Sequence, residues 1–398
     1  MQEEWGASAG GAYRAGRGIG QRILASLAIS MLTLLIGAIV RCSAMEAHAA
    51  VWDVPLTEFV EKAIEEASIP GAIVGIWQDG AIPYVRAFGV RDTATGEPMA
   101  TDLHMRIGSV TKTFVTTAIL QLVDQGKVGL DDPISKYVPG VPNGDAVTLR
   151  QLAGMRSGLF DYSDVTQAAM PDDPKRRYTP QDLLEIVVQH PPEFPADTKF
   201  DYNNSNTVLL GLVVEKVSGQ PLNRYIDEHI VQAEHLQHTV FPADATLPSP
   251  HAHGYTKTTD GKIVDATDWN PSWGWAAGQM VSTVDDLHIW ARDLATGKLL
   301  TPAAQREREK FQLAPSEGDG ALYGLGVEYQ FGWIGHNGNI TGYQAYAYYL
   351  PPERTTMVVL VNSNADLLGV CNLVGEITKI VSPDHLWPPP PSEAVLNP

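Results

Sequence analysis

Cysteine and positive charge are scarce in this chain. Only Cys42 and Cys371 occur in 398 residues, one near each end, so neither a multi-disulfide framework nor a cysteine-rich zinc cluster can be built. Lys and Arg total 28 against 46 Asp and Glu, a formal net charge of −18. A surface of that sign repels phosphate backbones, so nucleic acid is excluded as the expected partner. No internal repeat is present, which removes solenoids and propellers. What remains is 44% hydrophobic and 19% charged. That composition buries a large core, and the length predicts two folding units or one with an insertion.

Residues 1–49 read as a signal peptide or N-terminal anchor. Arg14, Arg17 and Arg22 precede an apolar run from Ile23 to Val40, and Ala47-His48-Ala49 offers small residues for cleavage. The run is 18 residues, at the lower limit for a spanning helix, so membrane anchoring through this segment is the alternative to cleavage. Either way the rest of the chain is expected to be exported, to the extracellular space or the cell envelope. Arg41 before Cys42 argues against lipid attachment, which wants a small residue there.

Leu56 to Ala67 carries apolar residues at helical spacing, and Asp366 to Val381 reads as a closing helix. Between them, Ala72–Trp77, Pro83–Gly89, Phe331–His336, Gln344–Leu350 and Thr356–Asn362 have the β-branched and aromatic character of strands. Gln78-Asp79-Gly80, Asn337-Gly338 and Pro351-Pro352 serve as turn punctuation. Strands joined by hairpins form an antiparallel sheet. The expected architecture is therefore α and β: a five-stranded antiparallel sheet flanked by helices, assembled from 51–115 and 285–384, with a mostly helical domain, 116–284, inserted between. A Pro-rich tail, 385–398, follows.

Ser109-Val110-Thr111-Lys112 opens an amphipathic stretch containing Phe114, Val115, Ala118, Ile119 and Leu122. Residues three apart share a helix face, so Lys112 lies over Ser109. A serine hydroxyl needs a base to become a nucleophile, and a lysine serves when burial or neighbouring charge lowers its pKa. Taken alone, the pair reads better as an N-cap serine followed by a snorkelling lysine. Tyr202-Asn203-Asn204 and His336-Asn337-Gly338 follow in the chain, and each pattern, S-x-x-K, Y-x-N and H-x-G, occurs once. In isolation Tyr202 reads as a packed aromatic and His336 as a turn histidine. Trp273 reads as a cleft wall or as core. The pairs His235/His238 and His251/His253 lack a convincing carboxylate partner for a metal.

The three patterns in this order resemble the serine penicillin-recognising enzymes: D-alanyl-D-alanine peptidases, class C β-lactamases and family VIII-type esterases. Arg156-Ser157-Gly158-Leu159 and Ala276-Ala277-Gly278-Gln279 also resemble connecting segments of that family. The resemblance implies a β-lactamase/D,D-peptidase-like fold and an acyl-enzyme mechanism without metal or organic cofactor. Ser109 would be the nucleophile, Lys112 its proton acceptor and Tyr202 a proton relay. Asn204 would orient Lys112 and the substrate. His336 would stand where the family often has lysine, completing a hydrogen-bond network with Tyr202 and titrating in mildly acidic solution. Backbone N–H groups of Ser109 and Asn339 would form the oxyanion hole, with Asn337, Gly338 and Trp273 bordering the substrate.

The first function implied is a D-alanyl-D-alanine carboxypeptidase, a penicillin-binding protein acting on peptidoglycan stem peptides in the cell wall and acylated by β-lactams. The alternatives are an esterase, an amidase or a β-lactamase of the same family, or a non-catalytic penicillin-sensing module. The chain departs from similar peptidases in having no Arg or Lys from Gly324 to Gly335, and in having Asn337 and Asn339 where threonine is common.

Overall fold

The computed structural model of the protein describes residues 52–315 and 320–387. The apolar run at 23–40, the cleavage signal at 47–49, Cys42 and the four consecutive prolines of the tail lie outside the described residues. No helix among the described residues is long and apolar enough to cross a membrane.

The central element is a nine-stranded antiparallel sheet. Its order is β3 (Glu97–Pro98), β2 (Tyr84–Asp92), β1 (Gly71–Gln78), β13 (Thr355–Val361), β12 (Tyr343–Leu350), β11 (Trp333–Ile340), β10 (Glu328–Gln330), β9 (Leu322–Tyr323) and β8 (Gln312–Leu313). The five long strands are those expected from the sequence. The expected count of five falls short because the four remaining strands, β3, β10, β9 and β8, have only two or three residues, too few to show a period of two. Strands from the two ends of the chain meet at β1 and β13, where Ala72 pairs with Val361 and Gln78 with Thr355.

Both faces of the sheet are covered, so its central strands read as continuous apolar runs rather than alternating ones. Alternate residues still divide between two cores. Val74, Ile76, Met357, Val359 and Val361 face a helix over 52–66, α1, and the closing helix α10 (Leu367–Val381). Asp366 caps α10 by accepting from Gly369 N at 2.9 Å. On the opposite face, Ile73, Ala345, Ala347, Val358 and Leu360 join a larger core with α2 (Thr111–Asp124) and α8 (Val284–Thr296). The intervening chain adds a two-residue ladder, β4 (Met105–Arg106) with β7 (Val281–Ser282), and the hairpin of β5 (Tyr255–Lys257) and β6 (Ile263–Asp265). Its helices are α3 (Leu149–Ala153), α4 (Tyr162–Ala169), α5 (Pro180–Gln189), α6 (Asn204–Ser218) and α7 (Leu222–Ile226); α9 (Pro302–Arg308) follows α8.

One turn prediction fails. Asn337-Gly338 is not a hairpin turn but the middle of β11, and the chain reverses at Thr341-Gly342, where Gly342 has φ +88°. Asn-Gly carries a turn signal, yet here the flanking residues pair along all of β12, and Gly338 serves a close approach described below.

Candidate active site

Ser109 lies in a single 3₁₀ turn, Gly108–Val110, that leads directly into α2. Helix α2 is buried almost all round. Three of its four threonines tolerate this because the hydroxyl returns to a carbonyl one turn back: Thr113 to Val110 at 2.6 Å, Thr116 to Lys112 at 2.8 Å and Thr117 to Thr113 at 2.6 Å; Thr111 Oγ1 accepts from Met280 N at 3.2 Å. Lys112 is carried inside with them and is fully buried. Its Nζ lies 2.8 Å from Ser109 Oγ, 2.8 Å from Asn204 Oδ1 and 2.9 Å from the Ala277 carbonyl oxygen. It also sits 4.9 Å from the centre of the Tyr202 ring, on the π face.

Tyr202 and Asn204 bracket the start of α6. Asn203 between them caps the helix by accepting from Ser205 N at 2.8 Å. Asn204 is oriented by Asp161, whose Oδ2 accepts from Asn204 N at 3.0 Å and Nδ2 at 3.2 Å, and by Ser163 Oγ at 3.1 Å. With its amide nitrogen held there, its oxygen is the atom turned to Lys112. Asp161 was not singled out in the sequence; its only local signal is the N-cap position of α4.

The opposite wall is β11. A side chain on Gly338 would place its Cβ 2.0 Å from the Ile107 carbonyl oxygen and 3.0 Å from Ser109 N. At Gly108, which has φ +49°, a Cβ would lie 2.7 Å from Asn339 N. Two facing glycines thus let the serine turn and the strand approach backbone to backbone. The nitrogens of Ser109 and Asn339 lie along that seam.

Ser109, Tyr202, Asn204, Trp273, Asn337 and Asn339 all line one cleft of about 200 Å³, and among the described residues that line it there is no Asp, Glu, Lys or Arg. Trp273 borders it half-buried, while Trp275 packs in the core. At the Trp273, Asn339 and Ile340 end, the cleft shares its walls with a second chamber of about 380 Å³.

His336 stands behind the wall, fully buried. Its Nδ1 lies 2.5 Å from the Asn337 carbonyl oxygen and therefore carries the proton, leaving Nε2 to accept from Tyr323 Oη at 3.1 Å. The Tyr202 ring lies alongside, centres 6.0 Å apart. Glu328 Oε1 is 3.3 Å from Nδ1, and Tyr348 donates its hydroxyl to the other carboxylate oxygen. Burial, with Lys112 nearby, pulls the imidazole down to about 3, against the Asn337 bond that raises it. The ring is therefore neutral in mildly acidic solution, and the expectation that it titrates there is corrected: the ordinary value near 6.5 belongs to a solvated imidazole. Tyr323 and Glu328 were likewise not identified as site residues; both sit on strands of two and three residues that the sequence does not display.

Among the described residues no group of three or more His, Cys, Asp or Glu is arranged to hold a metal ion. His253 Nδ1 pairs with Asp265 at 2.7 Å, and His251 Nδ1 lies 3.2 Å from the Pro248 carbonyl.

The arrangement has the parts of covalent catalysis: a hydroxyl, an amine at hydrogen-bond distance, a phenol beside that amine and two backbone nitrogens across the cleft. Comparison with known proteins agrees with the geometry. The Beta-lactamase family model matches residues 56–371. Protein flp of Staphylococcus aureus (strain N315) is 24% identical over 78% of this chain and 63% of its own length. The putative penicillin-binding protein PbpX of Bacillus subtilis (strain 168) is 28% identical over 68% and 66%. The chain thus spans slightly less than two thirds of these curated relatives. Among solved structures, a D-stereospecific amidohydrolase from Streptomyces sp. superposes with a TM-score of 0.72 at 29% identity, covering 82% of this chain and 98% of that one. The D-amino acid amidase of Ochrobactrum anthropi SV3, complexed with D-phenylalanine, gives 0.74 at 25%, covering 83% and 99%. The chain belongs to the Beta-lactamase family, within the serine penicillin-recognising superfamily.

Proposed function

We propose that the protein hydrolyses amide or ester bonds of D-amino acid derivatives through an acyl-enzyme on Ser109. The observation that carries the reading is the position of Lys112 Nζ, 2.8 Å from Ser109 Oγ and held by Asn204 and the Ala277 carbonyl. As a neutral amine, Lys112 takes the Ser109 proton while Oγ bonds to the substrate carbonyl carbon. The resulting oxyanion accepts from the N–H groups of Ser109 and Asn339. Collapse of the tetrahedral species breaks the bond to the leaving group, which takes its proton from Tyr202, itself resupplied from Lys112. Water then attacks the acyl carbon, its proton returning by the same path, and the acid leaves with Ser109 restored. His336 holds the neutral side of this network in place rather than exchanging protons with it.

The similarity to the Streptomyces D-stereospecific amidohydrolase and to the Ochrobactrum D-amino acid amidase supports D-amino acid amides as the substrate class. A D-alanyl-D-alanine carboxypeptidase must also hold the free carboxylate of the leaving residue, and the residues lining the cleft near Tyr202 and Asn337 supply no Arg or Lys for it. The amidase reading is therefore preferred over a role on peptidoglycan stem peptides. Residues 1–49, read as an export signal or anchor, would put the reaction outside the cytoplasm.

The test compares turnover of D-phenylalanine amide, its L enantiomer, a peptide ending in D-Ala-D-Ala and a chromogenic cephalosporin. Preference for the D amide is expected. Preference for the D-Ala-D-Ala peptide would restore the carboxypeptidase, and hydrolysis of the cephalosporin alone would make the protein a β-lactamase.

A further inference from the structure

The 380 Å³ chamber beyond Trp273 is nearly twice the volume of the cleft at Ser109 and opens into it through Gln167, Trp273, Asn339 and Ile340. It does not reach Tyr202, Asn204 or Asn337. If Tyr202 protonates the leaving group, that group lies at the Tyr202 end, so the chamber is left for the acyl portion of the substrate. Its walls suit a flat apolar body: Trp269 and Trp273, with Met170, Pro171 and Ile340, rimmed by threonine hydroxyls.

Its charge is less ordinary. In a chain of net charge −18, no Asp or Glu is among the described residues that line this chamber, and Lys257 is the one charged residue among them. Lys257 ends β5, in a hairpin tied to the main sheet through Tyr255, whose N–H bonds Asn362 O at 3.0 Å and whose hydroxyl accepts from Thr93 N at 2.8 Å. The hairpin's acidic residues are engaged elsewhere, Asp260 with Lys262 and Asp265 with His253. Lys257 thus borders an aromatic-walled chamber, and none of the chamber's described lining residues is a carboxylate.

We propose that this chamber is the acyl-group subsite and that Lys257 sets its charge preference, favouring acyl groups that end in a carboxylate over those that end in an amine. The inference rests on the hydrolase reading above. Lys257 is exposed, so its field is screened by water and salt. Its effect on kcat/KM should be on the order of tenfold rather than a thousandfold.

Three p-nitroanilides of D-phenylalanine test it: N-succinyl, N-butyryl and N-(4-aminobutyryl), of similar length and with charges −1, 0 and +1 at the acyl end. For each protein the kcat/KM of the two charged substrates is divided by that of the butyryl compound, which cancels differences in folded fraction. The wild type is expected to favour succinyl over aminobutyryl by about tenfold at low ionic strength, and 0.5 M NaCl should shrink the ratio severalfold. Lys257→Met should bring it near one and Lys257→Glu should invert it. The same ratio in all three proteins, or one indifferent to salt, would overturn the assignment. Cleavage of D-phenylalanine amide but of none of the three would overturn the assignment of the chamber alone; cleavage of neither would strike the hydrolase reading and carry this inference with it.

Discussion

The hydroxyl of Tyr323 lies 3.1 Å from Nε2 of His336 and donates to it, because the other ring nitrogen gives its proton to the Asn337 carbonyl. The histidine of the third motif is thereby a neutral, internally satisfied group whose ring packs beside Tyr202.

That state has a consequence for stability. A His whose folded pKa is depressed, here to about 3, resists protonation, whereas the unfolded chain takes up a proton below about 6.5. The contribution of His336 is fully present above pH 6.5 and is lost as pH falls from there toward 3. Thermal melts between pH 7.5 and 4 should show a steeper acid decline for the wild type than for His336→Gln. Parallel declines would mean that the imidazole is not held neutral.

Lys112→Arg replaces an amine that can lose a proton with a guanidinium that does not. Acylation by a fluorescent penicillin should slow by at least about a hundredfold, the scale of losing a general base. A rate within a few fold of wild type would move the base function to Tyr202.

Asp161→Ala removes the Oδ2 that accepts from both Asn204 N and Nδ2, and with Oδ1 the N-cap of α4. Loss of the cap alone costs about 1 kcal/mol. If Asn204 orients Lys112, the acylation rate should also fall about tenfold, and Asp161→Asn, which keeps one acceptor oxygen, should recover part of it. Melting temperature and labelling rate on the same preparations separate the two effects.

Gly338→Ala introduces a methyl that must sit against the Ile107 carbonyl, a backbone atom with nowhere to go. Overpacking of this kind costs about 1–3 kcal/mol, and the displacement falls on the seam between Ser109 N and Asn339 N. A sharp loss of acylation with a folded protein is expected. Normal labelling would show that the seam yields without disturbing the oxyanion position.

The parts of the site legible in the sequence were those set by local periodicity. Ser109 and Lys112 share a helix face at a spacing of three, and the long strands and terminal helices declare themselves by apolar runs. The resemblance to a known family supplied the association of Tyr202, Asn204 and His336 with them. Contacts made across the fold were not legible. Asp161 reaches Asn204 over 43 positions, and Tyr323 and Glu328 reach His336 from two- and three-residue strands with no pattern of their own. The burial that neutralises His336 is likewise a property of assembled layers, so an isolated H-x-G suggested a titrating group. Lys257 was missed because a three-residue strand at a hairpin carries no chemical signature until the chamber beneath it is formed.

The central claim is that Ser109 is the acylated residue. The most direct measurement is peptide mapping by mass spectrometry after brief exposure of the wild type and Ser109→Ala to a penicillin. A single adduct on the peptide holding Ser109, absent from Ser109→Ala, is the predicted result; an adduct on another serine, or equal labelling of both proteins, would contradict the account.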